Sequence, residues 1–323
     1  MKPQLNSLSI EITNLCNFKC TMCLFHSKEM NFHTKLSDHP SFINKDLFKR
    51  IVDEYAEFDQ LNKHILPQFQ GEPLMNPDFL ELLEYINSKK ITFGFTTNSS
   101  LLTKEVTDKL NTFEYFKNIA FSIDSINKET FEKIRVNANY DKLLSNIEYF
   151  LSVCRDDIFI SVNAVIQDSN KHEITDLVKF WLEKDKIKRV TAPFVTDDCC
   201  IPTQTNFEPG ERHACPIPSG NMIILTNGQV IPCCKDVKYE FNLGNINSQS
   251  LEEIWNGKEF SDLRTLQEDG KWDDHSVCKS CLTWARSSTP TFIPENPNDF
   301  PFQIPEYDSY VGLFFFYWVK KSI

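Results

Sequence analysis

Apolar and polar positions follow two periods along the first 195 residues of this chain. Runs with the alternation or continuous apolarity of strands fall at 7–13, 64–70, 91–98, 118–124, 158–167 and 188–195. Between them the apolar spacing turns helical. Phe79, Leu82, Leu83 and Ile86 share one face of the stretch 77–86, with Asn76 placed to cap it, and Ile174, Leu177, Val178 and Trp181 share one face of 170–182. Six strand–helix alternations predict an α/β fold: a parallel sheet with right-handed crossovers, either open or curled into part of a barrel. Such sheets keep their ligands at the C-terminal ends of the strands, where the loops gather. The polar residues that stand out in this half of the chain lie there.

After Val195 the pattern changes. Residues 196–212 hold the adjacent pair Cys199-Cys200, two prolines and a glycine, which reads as a linker. A hairpin is predicted at 221–231, where Asn227-Gly228 is the signal of a type I′ turn. A helix is predicted over about 250–267, opened by Ser250 and Glu253 in capping-box spacing. The expected organisation is a six-unit partial barrel over 1–197, a small α+β unit over 198–285 and a tail, 286–323, with no assigned role. There is no internal repeat and no low-complexity tract.

At 323 residues the chain can bury one large core and a smaller one. Its 41% apolar and 24% charged residues are ordinary for a globular protein, and its net charge of −11 argues against a nucleic-acid partner. The start, Met-Lys-Pro-Gln-Leu-Asn, lacks an apolar signal segment. The longest apolar run, 311–319, is too short to span a bilayer. It reads as a buried terminal strand, with an interfacial contact to a membrane or second subunit as the alternative. A cytoplasmic protein without a transmembrane segment is therefore expected. Eleven cysteines in a reducing compartment read as metal ligands or catalytic groups before disulfides.

Cys16, Cys20 and Cys23 follow the first strand in C-x3-C-x2-C spacing. Iron–sulfur clusters normally take four cysteines, so three leave one iron open for chemistry. A zinc site completed by His26 is the alternative. The second strand ends in Gln70-Gly71-Glu72-Pro73 and the third in Thr97-Asn98. With these motifs the chain resembles the radical S-adenosylmethionine (SAM) enzymes. The resemblance implies a [4Fe–4S] cluster on the three cysteines whose open iron chelates SAM, and reductive cleavage of SAM to a 5′-deoxyadenosyl radical that abstracts hydrogen from substrate. It places Gly71 and Glu72 at the SAM amino group, with Gln70 standing where the family has glycine and Met22 where it often has an aromatic residue. Asn98 joins this SAM-binding set. Phe121-Ser-Ile-Asp-Ser125 and Phe131-Glu-Lys-Ile-Arg135 also resemble family segments. By the same analogy Ser122 and Arg135 are candidates for the SAM carboxylate and Asn163 for the ribose, against the reading of each as an ordinary strand-end or surface polar residue.

A second thiol set comprises Cys215, Cys233, Cys278 and Cys281, with Gly228 folding the hairpin so that the first two approach. Four thiols close a site. They resemble the family's SPASM/twitch domain, and the absence of further cysteines after Cys281 favours the shorter twitch form with one auxiliary [4Fe–4S] cluster. Structural zinc is the alternative. Cys154 reads as core, and Cys234 neighbours the candidate ligand Cys233. Cys199 and Cys200, after the sixth strand, are candidates to return a hydrogen atom to a substrate radical, against the reading of an inert linker pair. His26, His33 and His39 read as solvated loop residues, with His26 also a catalytic candidate.

The resemblance implies an oxidoreductase that draws electrons from a donor such as flavodoxin or ferredoxin. Single-auxiliary-cluster relatives include dehydrogenases of cyclitol or sugar-like alcohols. A first strand that starts by residue 7 leaves no room for a leader-binding module, so a small-molecule substrate is expected ahead of a ribosomal peptide. A maturase or epimerase acting on such a peptide is the alternative, and a non-catalytic cluster- or zinc-bearing binding protein is the second.

Overall fold

The computed structural model describes residues 3–28, 39–60, 62–192, 212–281 and 291–292. The six predicted alternations are present as β1 (Ser7–Ile10), α1 (Lys45–Glu57), β2 (His64–Leu66), α2 (Phe79–Ser88), β3 (Thr92–Thr97), α3 (Lys104–Asn111), β4 (Phe116–Ser122), α4 (Lys128–Ile134), α5 (Tyr140–Val153), β5 (Phe159–Asn163), α6 (Ile174–Leu182) and β6 (Ile187–Thr191). All six strands pair in parallel and in sequence order, the open arrangement of a partial barrel. Parallel strands covered by helices are apolar on both sides. Accordingly Phe93, Phe95, Phe116 and Phe121 are all buried, and Phe95 meets Phe79 of α2 edge-on at 5.1 Å between centroids. Burial of each ring stabilises by roughly 1.5–3 kcal/mol.

The strands are shorter than the sequence pattern predicts, for local reasons. Pro67 has no N–H to extend β2, and the Gln68 side chain takes over the ladder, its Oε1 accepting from Thr96 N and its Nε2 donating to Thr96 Oγ1 at 3.2 Å. Past β1, the Ile12 carbonyl is used by Ile43 N and by the Asn76 amide at 2.7 Å. Asn76 is therefore not the cap of α2. Asp78 holds that position, and Asn76 clamps the turn after β2 to β1.

The second half begins with β7 (Asn221–Ile224), which pairs in parallel with β1, so the sheet continues into it. β8 (Val230–Ile231) closes a hairpin on that edge, and β9 (Thr291–Phe292) pairs antiparallel with β6 on the other. The hairpin turn is not type I′. Gly228 has φ +84 but Asn227 does not take positive φ, and Gly228 N donates to Leu225 O at 2.8 Å while Leu225 N donates to Gln229 O at 2.9 Å. This is a type I turn with a glycine bulge. The helix expected over 250–267 is split at Gly257 into α7 (Leu251–Trp255) and α8 (Lys258–Glu268), and the capping box forms as predicted. α9 (Ser276–Ser280) follows. Cys154 is buried at the end of α5, a core residue as expected. The linker with Cys199 and Cys200, His33 and the 311–319 run lie outside the described residues. Among the described residues no helix is long and apolar enough to cross a membrane.

Candidate functional site

The loop after β1 gathers the first thiol set. Cys23 N donates to Cys20 O and Ser27 N to Cys23 O, winding the chain so that Cys16, Cys20 and Cys23 line one cavity of about 240 Å³ at the C-terminal ends of the strands. All three thiols are free of disulfides. Burial, the largest influence, pushes Cys16 up to about 12 and Cys20 up to about 11. Thiols so placed hold their protons until a bound cation compensates the buried thiolate charge, the donor set an iron–sulfur cluster requires.

Across the cavity stands the turn after β2. A side chain at Gly71 has no space: its Cβ would sit 2.6 Å from Leu15 O and closer still to Thr13 O. Glu72 N donates to Leu15 O at 2.8 Å, locking the turn against the segment that leads into Cys16. The Glu72 carboxylate accepts from Thr97 Oγ1 and from Asn98 N, each at 2.7 Å. Burial raises it to about 7, opposed by those hydrogen bonds and by Arg135. Thr97 and Asn98, at the end of β3, thus position Glu72 through a hydroxyl and a main-chain N–H. The Asn98 side chain is engaged elsewhere: Asn98, Asn17 and Ser100 form a closed ring of hydrogen bonds of 2.7–2.9 Å that ties the residue after Cys16 to β3.

Ser122 and Arg135 line the same cavity. Arg135 is not a surface residue. Its Nε donates to Asp124 at 2.7 Å and its Nη1 stands 3.9 Å from Cys20 Sγ. Asn163 is beside Ser122 in the β4–β5 register but is not among the lining residues. His26, expected as a solvated loop residue, is 4% exposed and lines the cavity, its main-chain N–H donating to Cys23 Sγ at 3.3 Å. His39 also departs from that expectation, its ring stacking on Tyr239 at 5.5 Å.

The second set also converges. Cys215, Cys233, Cys278 and Cys281 line a smaller pocket walled by Ile217, Pro218, Phe241, Leu263 and Val277. Cys215 precedes a 3-10 turn (Ile217–Ser219), Cys233 follows β8, and Cys278 is on α9, where Cys281 N closes onto Cys278 O at 3.2 Å. Burial raises Cys215 to about 12, Cys278 to about 11 and Cys233 well above the ordinary thiol value, and the neighbouring Cys234 raises Cys215 and Cys233 further. Gln267 of α8, missed in the sequence, fixes two of the four: its Nε2 donates to Cys278 Sγ at 3.3 Å and its Oε1 accepts from Cys215 N at 3.2 Å. A buried glutamine on an amphipathic helix, where the apolar stripe calls for a leucine, was the available signal. Asn17 and Asp124 were missed as well.

Residues 10–180 match the model of the radical SAM superfamily, just over half of the chain. The chain belongs to the radical SAM superfamily. Residues 215–282 match the SPASM iron–sulfur cluster-binding domain, bounded by the second thiol set. In this family the core domain binds a [4Fe–4S] cluster and SAM, and SPASM domains bind auxiliary iron–sulfur clusters. The chain is similar to the AdoMet-dependent heme synthase of Methanosarcina barkeri (strain Fusaro / DSM 804), 24% identical over 344 residues, covering 89% of this chain and 94% of that protein. It shares its fold with Streptococcus suis SuiB bound to S-adenosylmethionine (TM-score 0.66, 19% identity, 86% of this chain and 72% of that one) and with BtrN in complex with AdoMet and 2-DOIA (TM-score 0.55, 18% identity, 87% and 94%). This radical SAM protein is accordingly an enzyme.

Proposed function

We propose that the enzyme oxidises a small polar, sugar- or cyclitol-like substrate by two electrons, with Cys16, Cys20 and Cys23 holding the SAM-binding cluster and Cys215, Cys233, Cys278 and Cys281 an auxiliary [4Fe–4S] cluster. Residues 1–197 form the SAM-binding unit and 198–285 the auxiliary unit. The carrying observation is the contrast between the two thiol sets: three thiols share a roomy cavity with the Glu72 carboxylate and the His26 imidazole, whereas four thiols line a smaller pocket whose lining includes no carboxylate or imidazole among the described residues. When bound, SAM and its cluster would supply a 5′-deoxyadenosyl radical for hydrogen abstraction, and an auxiliary cluster would supply an acceptor for the second electron.

The chain's own residues supply the rest. Gly71 lets the backbone approach the SAM amino group, and Glu72, fixed by Thr97 and Asn98, supplies negative charge there. Arg135 balances the buried negative charge around Cys20 and presents its remaining N–H groups to the SAM carboxylate, beside Ser122. His26 is the candidate to accept the substrate proton, since among the described lining residues it alone carries an imidazole. An external one-electron donor of the flavodoxin or ferredoxin type completes the cycle.

Peptide modification is the second reading, favoured by the higher TM-score to SuiB, which is also known bound to its precursor peptide SuiA. Anaerobic turnover with SAM, reductant and carbon-deuterated cyclitols and aminocyclitols distinguishes the two. Deuterium in 5′-deoxyadenosine, with a carbonyl product, is expected from a cyclitol. Deuterium transfer from peptides alone would reverse the order.

A further inference from the structure

Gln70 stands where the resemblance expects glycine, and its side chain reaches out of the barrel. Its Nε2 donates to the hydroxyl of Tyr239, in the segment that joins the hairpin to the auxiliary helices. Its main-chain N–H donates to Glu11 Oε1 at 3.4 Å, and Glu11 Oε2 accepts from Thr226 N at 3.2 Å in the hairpin turn. The turn that carries Gly71 and Glu72 is thereby tied to the auxiliary unit twice.

Two further observations give this contact a purpose. Tyr239 holds φ +54, a left-handed backbone that a bulky aromatic residue adopts only when its surroundings impose it. Those surroundings are the His39 ring stacked on it and the apolar group Ile223, Leu225 and Ile231 beneath it. Gln70 is 7% exposed, lines the SAM cavity, and its Oε1 is buried without a hydrogen-bond partner among the described residues. An orphan acceptor of this kind costs stability, so the Gln70 side chain keeps this position against that cost.

We propose that Tyr239, acting through Gln70, positions the SAM-binding turn, so that the auxiliary unit sets the enzyme's affinity for SAM. Tyr239 holds the Gln70 amide, and through it the main chain that leads into Gly71 and Glu72. The inference rests on the assignment of the Gly71-Glu72 turn to SAM. It makes Tyr239 a positioning residue with no contact to SAM itself.

The test is SAM affinity of the anaerobically reconstituted full chain, read from the change that SAM causes in the electron paramagnetic resonance spectrum of the reduced cluster. Tyr239→Phe is expected to raise Kd about fivefold and Gln70→Met about tenfold, the range of a lost hydrogen bond. The double variant is expected to match Gln70→Met alone, because Tyr239 acts only through that side chain. Affinity for 5′-methylthioadenosine, which lacks the amino group, is expected to stay at the wild-type value in both. Additive losses, unchanged SAM affinity in Gln70→Met, or equal losses for 5′-methylthioadenosine would each overturn the proposal. Gly71→Ala separates the two levels. If it leaves SAM affinity intact, the turn assignment itself fails; if it weakens SAM while Gln70→Met does not, the strut alone fails.

Discussion

Arg135 donates its Nε hydrogen to Asp124 at 2.7 Å, against a carboxylate with no exposure to solvent. Asp124 also accepts from Val165 N at 2.8 Å, and its carbonyl accepts from the Asn170 amide at 2.7 Å, so one residue joins the loops after β4 and β5. Removing one member of a buried pair leaves the other charge uncompensated, which destabilises by about 3–5 kcal/mol. Asp124→Asn is expected to lower the free energy of chemical unfolding by that order. An Asp124→Asn/Arg135→Met double variant is expected to recover part of the loss, and a double variant no more stable than the single would contradict this account.

At Gly71 any side chain meets two main-chain oxygens that cannot rotate away. Gly71→Ala must displace the turn or the segment before Cys16. A loss of about 1–3 kcal/mol in stability is expected, as for other overpacked sites, together with weaker retention of the first cluster. Iron content after anaerobic desalting checks the second part.

Glu11 is buried at the seam between the barrel and the hairpin, and burial raises its carboxyl to about 8 from an ordinary 4.5. Between those values the folded chain keeps a proton that the unfolded chain releases, so this group's contribution to stability falls as pH rises through that window and levels off above about 8. Glu11→Gln removes the equilibrium. Unfolding free energies of wild type and variant, measured from pH 4.5 to 8.5, should converge or cross by on the order of a few kcal/mol in the variant's favour. A constant difference would show that Glu11 does not titrate there.

Gln267 touches two auxiliary-site cysteines and none of the first set. Gln267→Met preserves bulk but removes both hydrogen bonds. Losses of outer-shell partners weaken metal sites by roughly 10–100-fold. The variant is expected to lose iron from the auxiliary site while keeping the SAM-sensitive resonance signal of the first cluster.

Much of this was legible in the sequence because apolar period and cysteine spacing are local signals. The six alternations, both thiol sets and the capping box at Ser250 followed from residues a few positions apart. What escaped depended on contacts between distant segments. β7 reads as part of a separate hairpin, yet it joins the sheet through β1, more than two hundred residues earlier. Asn227-Gly228 signals a type I′ turn, but Thr226 N is drawn to Glu11 and Asn227 Oδ1 to Gln229 N at 3.0 Å, leaving Gly228 alone in the left-handed region. Arg135 was legible as a candidate for the cavity it lines, but its commitment to Asp124 was not. Glu11 gave no such signal: in Ser7-Leu-Ser-Ile-Glu-Ile-Thr13 it falls at a polar position of an alternating run, and its burial comes from the Gln70 and Thr226 segments that close over it.

The most direct test is the iron and sulfide content of anaerobically purified protein, compared with a Cys16→Ala/Cys20→Ala/Cys23→Ala variant. Two four-iron sites predict about eight irons per chain, falling to about four in the variant. About four irons falling to none, with zinc on Cys215, Cys233, Cys278 and Cys281, would contradict the auxiliary cluster and with it the two-electron oxidation.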